Sequence, residues 1–329
     1  MRITNRMMAN SFMTDMNSNL ENLDKVRQQL TSGKRFSKPS DDPAGVVRSM
    51  QLYSGIEANK QYNKNISNVI NWLDVTDTAL NQLGGETQLG RIRDKLLAGG
   101  DIAYGPTERK ALKDEINEII GSISQTLNTT FDGKYIFSGT RVTSKPTGVE
   151  KDTTTKNNSL NYLKKDGNTK LEDVSDNEYI QIQGKLKAEI SEGVIMEYNV
   201  TAPELMNFKA KDGTIKDVRE VLQNIVNHLD SDDQDEINKL YNEDLQDITD
   251  AVDNVLKIRA EVGAKQNRMD SAKKMNTETN FNMKEILSNV EDIDVVEKNM
   301  EYAILQSVYI SSLQTSAKVL QPTLMDYLR

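Results

Sequence analysis

The segment from Thr31 to Gly45 constrains the fold more than any other stretch of the chain. It reads TSGKRFSKPSDDPAG and holds two of the six prolines in 329 residues. Because proline lacks a backbone N–H and pushes the preceding residue toward extended conformations, no helix runs unbroken through Pro39 and Pro43. Both flanking segments have helical patterns, so the chain must bend here. We predict a hinge and helix cap made of Gly33, Arg35, Pro39, Asp41, Asp42, Pro43 and Gly45.

Composition excludes several classes of function. The chain has one histidine, His228, and no cysteine, which excludes disulfides, thiol catalysis and metal sites of the His/Cys type. The net charge of -9 argues against nucleic acid as a partner, because phosphate binding needs a clustered basic face. No apolar run approaches the roughly 20 residues of a membrane span. The N-terminus lacks the apolar core of a cleaved signal peptide, so we expect any export to use another route.

Apolar residues near both ends of the chain recur at helical spacing. In a first helix, over about residues 4–30, they fall at steps of three, four and seven, and a last helix repeats the pattern with one slip in register. Each stripe is narrow on a polar helix, so we expect these helices to need each other as coiled-coil partners. The predicted assembly seam consists of Met13, Met16, Leu20, Leu23, Leu30, Ile293, Val296, Met300, Ile310, Leu313, Ala317, Leu320 and Leu324.

Between the ends, the pattern predicts a bundle of long helices. A second helix begins at Asp42, since aspartate is a good N-cap and proline suits the first helical position. Its apolar stripe, at alternating steps of three and four, is Ile66, Val69, Leu73, Thr76, Leu80 and Leu83. Near the other end, Ser231 with Gln234 predicts the cap of a long helix, and the polar residues 271–282 predict a bend in its path.

Residues 141–213 differ in composition from the rest of the chain. They are rich in Thr, Asn, Asp and Gly and contain strand patterns at 179–183, 185–190 and 194–200. We therefore predict a mainly α fold with a small β-rich insertion. The predicted domains are a terminal coiled-coil domain of residues 1–42 plus 286–329, a helical bundle domain of 43–140 plus 214–285, and a β-rich outer domain of 141–213.

Short motifs that support catalysis or ligand binding elsewhere lack their companions here. The acidic residues at 230–236 miss the glycine that a calcium loop requires, and the S-x-x-K at 271–274 stands without the other motifs of serine acylases. The sequence Gly-Lys-Arg at 33–35 lacks the spaced glycine of a phosphate loop. A turn and a helix cap explain the carboxylates at 41–42 better than catalysis does. We therefore expect no enzymatic activity, no catalytic residue, no cofactor and no metal.

Several motifs resemble those of bacterial flagellins. SGKRFSKPSDDPAG at 32–45 is similar to their SG-x-R…DD-x-AG hallmark, GAKQNR at 263–268 resembles their GA-x-x-NR signature, and SNVEDID at 288–294 resembles the start of their last helix. Within that superfamily, NTTFDGKYIFSGT at 128–140 is most similar to hook-filament junction proteins. The family-motif contacts that the resemblance implies are Gly263, Asn267 and Arg268.

The resemblance implies an elongated flagellin-like bundle of long helices, with N- and C-terminal coiled-coil helices side by side. It implies a structural junction of the bacterial flagellum that adapts hook to filament by ring-like self-assembly through the terminal helices. The implied partners are further copies of the chain, flagellin, another hook-associated protein and an export chaperone, with an extracellular location after type III export. A divergent filament flagellin and a secreted coiled-coil binding module remain as alternatives.

Overall fold

The computed structural model describes residues 5–101, 105–152, 156–171, 176–231 and 233–319. These residues are mostly helical, and their strands form separate antiparallel pairs, which confirms the predicted fold class. The helices are α1 (Asn5–Ser32), α2 (Pro43–Gly84), α3 (Leu89–Asp101), α4 (Pro106–Leu127), α5 (Asn177–Gln183), α6 (Ala202–Met206), α7 (Val218–Asp230), α8 (Gln234–Lys239), a π-helical segment (Leu240–Asp244), α9 (Leu245–Glu291) and α10 (Val295–Val319). The strands are β1 (Thr130–Phe131), β2 (Lys134–Tyr135), β3 (Thr147–Lys151), β4 (Asn158–Tyr162), β5 (Lys187–Ser191), β6 (Val194–Glu197), β7 (Asn207–Lys209) and β8 (Ile215–Asp217).

Two compact units make up the structure. Unit 1 comprises Met1–Lys60 and Glu278–Arg329, and unit 2 comprises Gln61–Thr277. The division into three domains stays a prediction. None of the helices in the described ranges has the length and apolar character that crossing a membrane requires.

The core of unit 2 is formed by apolar helix faces. The predicted stripe of α2, from Ile66 to Leu83, is at most 3% exposed at each of its six positions. The apolar faces of α4, α7 and α9 join it in one hydrophobic cluster. Tyr162, Tyr179 and Phe208, which lie within 141–213, belong to the same cluster. The insertion therefore shares its core with the bundle helices.

The strands pair only with their neighbours in sequence. β1 pairs with β2, β3 with β4, β5 with β6, and β7 with β8, each as an antiparallel hairpin. The strand patterns predicted at 185–190 and 194–200 correspond to β5 and β6, which pair with a shift in register between Glu189 and Ser191. These hairpins lie on the helices and do not form an extended sheet.

The segment 179–183 is helical, and the strand prediction there is wrong. α5 begins after Asp176, whose Oδ1 accepts a hydrogen bond from the Glu178 backbone N–H at 3.1 Å. The buried residues of α5, Tyr179 and Ile182, lie three positions apart and share one helical face. The capping aspartate outweighs the β propensity of the YIQIQ residues, because it satisfies an N–H group that a helix start leaves free.

The cap predicted at Ser231 with Gln234 is also wrong. Ser231 ends α7. The carboxylate of Asp233 caps α8 instead, accepting from the Asp235 backbone N–H at 3.1 Å. A charged carboxylate is favoured at this position because it also interacts with the positive end of the helix dipole.

The polar residues 271–282 lie within one continuous helix. α9 continues unbroken from Leu245 to Glu291. Met269 and Asn276 are buried on it, and the Asn276 side chain donates to the Ile190 carbonyl at 3.0 Å. Asn276 therefore joins this polar stretch to β5, and the bend predicted from its composition stays a prediction.

Candidate assembly surface

The predicted hinge folds as a turn that is tied to the segment between α9 and α10. Gly33 follows α1 with φ +71°, a left-handed conformation that glycine adopts without strain. The backbone N–H of Arg35 donates to the Glu291 carbonyl at 2.6 Å, and that of Ile293 donates to the Gly33 carbonyl at 3.2 Å. The corner thus contacts the connection between α9 and α10, and Ile293 precedes α10, outside the helix predicted to carry it.

Charged side chains reinforce this backbone bridge. Lys34 and Asp292 face each other across it, and the Lys34 Nζ lies 2.8 Å from Asp292 Oδ1 and 3.5 Å from Glu291 Oε2. The Tyr53 hydroxyl donates to the same Glu291 oxygen at 2.9 Å. The hydrogen bond with Asp292 raises the pKa of Lys34, and the ammonium together with Ser288 lowers the pKa of Asp292. We call this contact the clasp: Gly33, Lys34 and Arg35 bound to Glu291, Asp292 and Ile293.

The two carboxylates of the hinge accept backbone hydrogen bonds. Asp41 Oδ2 accepts from the N–H groups of Lys38 at 3.0 Å and Ser37 at 3.2 Å, which close the turn. Asp42 Oδ1 accepts from the Gly45 N–H at 3.0 Å in the first turn of α2, where Pro43 is the first helical residue. These donors stabilise the charged carboxylates, and the pKa of each aspartate is lowered as a result.

Close packing surrounds the start of α2. A Cβ atom at Gly45 would lie 2.6 Å from Asp42 Oδ2 and 2.8 Å from the Phe36 ring. Phe36 is 8% exposed, and the Arg35 guanidinium donates to Asp42 Oδ2 at 2.7 Å. Pro39 is exposed on the outside of the turn. Only glycine avoids displacing these neighbours at position 45.

α1 and α10 pack along each other through one narrow stripe on each helix. On α1 the half-buried or buried residues of this stripe are Ala9, Phe12, Met16, Asn19, Leu23, Val26 and Leu30. On α10 they are Lys298, Tyr302, Leu305, Tyr309, Ser312 and Ser316. Both sets keep steps of three and four, as two helices packed side by side require. Of the predicted seam, Met16, Leu23 and Leu30 lie in this contact.

The rest of the predicted seam that the structure describes does not face the partner helix. Met13 on α1 is 58% exposed and Leu20 is 39% exposed. On α10, Ala317 is exposed, and seven of the large apolar side chains that the structure describes are exposed as well; five of them form what we call the outer stripe. The outer stripe consists of Val296 (69% exposed), Met300 (58%), Ile304 (63%), Ile310 (48%) and Leu313 (41%). Leu320 and Leu324 lie outside the described residues.

Sequence reasoning missed several members of these surfaces, including Lys34 of the clasp. Ile304 of the outer stripe has the same four-residue step from Met300 that the pattern uses elsewhere. The clasp residues Glu291 and Asp292 lie within the motif at 288–294, but a motif does not reveal its contact partner. Several large apolar side chains exposed on one helix favour a protein interface.

The family-motif residues lie on α9 in unit 2. Asn267 and Arg268 are exposed, and Gly263 is half-buried. A Cβ atom at Gly263 would meet no heavy atom within 4 Å. A larger side chain would therefore fit at this position in the described chain, so packing does not explain the glycine.

The sole histidine is half-buried and pairs with a buried carboxylate in unit 2. His228 Nδ1 lies 2.5 Å from Asp244 Oδ2, at the end of the π-helical segment, and Asp244 is 4% exposed. Burial raises the pKa of Asp244, and the contact with His228 opposes that shift. Across the described ranges, no group of three His, Cys, Asp or Glu side chains could hold a metal ion. The pair joins α7 to the π-helical segment.

Curated relatives of the chain are flagellar proteins. Flagellin of Clostridium tyrobutyricum is 29% identical over 143 residues, covering 43% of this chain and 37% of that protein. Flagellin of Bacillus subtilis is 23% identical over 92% of this chain and 90% of that protein. Flagellar hook-associated protein 3 of Escherichia coli is 22% identical over 94% and 95%. The chain thus spans little more than a third of the first relative and nearly all of the other two.

Solved structures share the fold. Flagellar hook-associated protein-3 of Legionella pneumophila matches with a TM-score of 0.58 and 12% identity, over 74% of this chain and 98% of that one. FlgL of Xanthomonas campestris matches with a TM-score of 0.55 and 16% identity, over 71% and 98%. At identities this low, the structural likeness establishes a common fold alone.

Family models match both halves of the chain. The model of the bacterial flagellin N-terminal helical region matches residues 3–142, and that of the C-terminal helical region matches residues 245–328. The first match contains the hinge and the second contains the outer stripe. Together they cover most of both units, and the chain therefore belongs to the bacterial flagellin family, whose members are structural, non-enzymatic components of the flagellum.

Proposed function

We propose that this chain is a hook-filament junction protein that assembles with copies of itself into a ring-like oligomer through its terminal helices. In this role it connects another hook-associated protein to the flagellin filament. We further propose that it is exported by the flagellar type III apparatus with the help of a chaperone and functions outside the cell. The exposed members of the predicted seam and the family-motif residues are the contacts that this role assigns.

The observation that carries the self-assembly proposal is the outer stripe. α10 already packs on α1 through its other face, so the outer stripe stays exposed in the single chain. Full burial of one such side chain stabilises by roughly 1.5–3 kcal/mol. That gain is realised only when another molecule covers the stripe.

The likeness to hook-associated protein 3 over 94% of the chain supports the junction role. The FDGKYIFSGT stretch within 128–140 supports it too. The second candidate is a divergent filament flagellin, which the match to Bacillus subtilis flagellin over 92% of the chain favours. The two roles differ in copy number, because a junction has few subunits and a filament has thousands.

Electron microscopy of immunogold-labelled flagella in a motile host tests the proposal. We expect label at a single position per flagellum, at the hook end of the filament. Deletion of the gene should leave hooks without filaments and release flagellin into the medium. Label along the whole filament would establish the flagellin role instead. Normal filaments and normal swimming in the deletion strain would favour a secreted binding module.

A further inference from the structure

Unit 2 contains a cavity of about 620 Å³, to which α2, β5 and the β1–β2 hairpin contribute residues. Three aromatic rings form part of its wall: Trp72 of α2 contacts Phe131 of β1 and Tyr198, with ring centroids 6.1 and 5.7 Å apart. Cavities of about 300–1,000 Å³ that combine aromatic walls with a few polar groups are typical binding sites. No residue of the outer stripe or of the clasp lines this cavity.

The β1–β2 hairpin places three of the lining residues next to one another. Asp132 and Gly133 form its two-residue turn, and both have positive φ, of 50° and 72°. Asp-Gly is a preferred pair for such a turn. The hairpin sets Phe131 directly opposite Lys134, with Asp132 at the turn beside them. An aromatic ring, a carboxylate and an ammonium group thus meet at one edge of the cavity.

Three polar side chains of the lining have no partner in the described part of the chain. They are the Asn68 amide on α2, the Asp132 carboxylate and the Lys134 ammonium. All three residues are exposed, so a ligand that enters the cavity can reach them. In contrast, Lys187 is 3.3 Å from Glu197 and has a counter-ion within the chain.

Part of the aromatic surface is accessible as well. Phe131 and Tyr198 are half-buried and keep some of their surface exposed, whereas Trp72 is 5% exposed. The face of an aromatic ring carries negative charge density, which attracts the weakly positive C–H groups of a ligand. A ligand with a C–H face therefore has a surface to pack on.

The charges of the lining select the class of ligand. Asp132 and Glu189 balance Lys134 and Lys187, so an anion would meet two carboxylates and a cation two ammonium groups. This balance favours a neutral ligand. The unpaired groups comprise a donor, an acceptor and an amide that is both. Hydroxyl groups donate and accept, so a ligand with several hydroxyl groups can satisfy all of them.

We propose that this cavity binds a neutral saccharide. The C–H face of a sugar ring packs on Phe131 and Tyr198, and its hydroxyl groups form hydrogen bonds with Asn68, Asp132 and Lys134. A saccharide suits the lining because it combines a C–H face with hydroxyl groups around its edge. The inference does not depend on the junction role, since all of these groups belong to a single chain.

Tryptophan fluorescence of the purified full-length chain tests the proposal, because Trp72 is the sole tryptophan and lines the cavity. The two probes are triacetylchitotriose, which consists of acetylated amino sugars, and maltotriose, which consists of plain glucose. We expect a saturable change in emission in the millimolar range with at least one of them, and the better probe identifies the source of the sugar. The absence of a saturable change with both probes would overturn the proposal.

Charged sugars test the preference for a neutral ligand. We expect glucuronate and glucosamine to bind more weakly than glucose, because each adds a charge that the balanced lining does not compensate. Tighter binding of either one than of glucose would contradict a neutral ligand.

Matched lysine variants locate the bound saccharide. Lys134→Ala removes a donor of the cavity, and Lys110→Ala removes an exposed lysine of α4 that does not line it. Both side chains are exposed, so both variants should keep the melting temperature of the wild type. We expect Lys134→Ala to weaken binding about tenfold, which is the order of the loss of one hydrogen bond from a charged donor. Lys110→Ala should bind like the wild type.

The Asn68→Ala variant gives a second check on the other side of the cavity. It removes the unpaired amide, and alanine favours the helix, so α2 should stay folded. We expect weaker saccharide binding at an unchanged melting temperature. Wild-type affinity in both Lys134→Ala and Asn68→Ala would place the saccharide elsewhere on the chain and overturn the proposal.

Discussion

Gly45 and Gly263 both lie in motifs shared with flagellins, yet their surroundings differ. At Gly45 the space for a Cβ atom is taken by the Asp42 carboxylate and the Phe36 ring. At Gly263 that space is open in the single chain. The first glycine is explained by packing inside unit 1. The second has no such explanation there, and we propose that it serves a contact with another molecule.

The Gly45→Ala variant should destabilise unit 1. Its added methyl group would overlap two neighbours, and overpacking of this kind costs about 1–3 kcal/mol. Hydrogen exchange of the first turns of α2 measures the loss. Gly121→Ala is the control, because no atom lies within 4 Å of its Cβ position in α4 and a helix gains about 0.5–1 kcal/mol from such a change. Unchanged exchange in Gly45→Ala would show that the start of α2 adapts without strain.

Gly263→Ala should separate stability from assembly. The change should raise the free energy of unfolding by about 0.5–1 kcal/mol, because alanine favours the helix and meets no neighbour. If Gly263 serves a contact between copies, the more stable variant should still enter flagella less well than the wild type. Chemical denaturation and the amount of protein in purified flagella measure the two effects. Wild-type incorporation would remove Gly263 from the contact surface.

At the scale of elements, α10 presents different surfaces on its two sides. One face packs on α1, and the outer stripe is exposed. Adjacent residues therefore have different roles: Leu305 is half-buried against α1, and Ile304 is 63% exposed. The clasp joins the residues after α1 to the residues before α10. Its members Lys34 and Asp292 are 258 positions apart in the chain.

The pair Ile304→Ser and Leu305→Ser tests the two faces. Ile304→Ser should change the free energy of unfolding by no more than about 0.5 kcal/mol, since its side chain is exposed in the monomer, and should reduce assembly. Leu305→Ser should loosen the α1–α10 contact in the monomer itself. Circular dichroism during denaturation and incorporation into flagella distinguish the variants. Equal effects of the two changes would argue against a division of roles between the faces.

The clasp and the hinge should be stable only over a limited pH range. The lowered pKa values of Asp41, Asp42 and Asp292 mean that their stabilising effect is complete above the ordinary value of 3.8 and is lost as pH falls through the lowered values. The raised pKa of Lys34 means that its effect is complete below the ordinary value of 10.5 and is lost as pH rises through the raised value. Protection of the amides at 33–45, corrected for intrinsic exchange, should therefore decrease in acid.

Asp292→Asn is the control for this pH dependence. The variant keeps the shape of the side chain and removes the charge that attracts Lys34. Its loss of protection in acid should be smaller than that of the wild type. Identical profiles would assign the acid response to the hinge aspartates alone.

At the scale of the whole molecule, the two units differ in how much apolar surface they bury. In the described part of unit 1, the buried apolar side chains are Val26, Phe36 and Ile56. Unit 2 has a continuous core that includes the fully buried Ile66, Leu73 and Ile116. Since local stability follows buried apolar contacts, the two units should open with different free energies.

Hydrogen exchange on dilute monomer should resolve this difference. We expect amides in α1 and α10 to exchange through low-energy openings and those in α2, α4 and α9 of unit 2 to need nearly global unfolding. Protection of α1 and α10 should rise in assembled flagella, where the outer stripe is covered. Full protection of both helices in the monomer would contradict the idea that assembly stabilises them.

Much of the fold could be predicted because its signals are local. The bend before Pro43, the cap at Asp42 and the buried stripe of α2 all depend on residues within a few turns of one another. Helix periodicity and capping are properties of neighbouring residues, so a single sequence carries them. The same local reasoning failed at 179–183, where one capping aspartate outweighed a strand-like pattern.

The sequence by itself determined the long helices, the place of the hinge and the family. Only the tertiary structure decided that the hinge binds Glu291, Asp292 and Ile293, and which face of α10 packs on α1. The packed set on α10 keeps steps of three and four, and Val296, Met300 and Ile304 of the outer stripe also recur at steps of four, so periodicity does not distinguish the face that packs within the chain from the face left exposed. That choice depends on contacts between residues far apart in sequence, and those contacts form only when the chain folds.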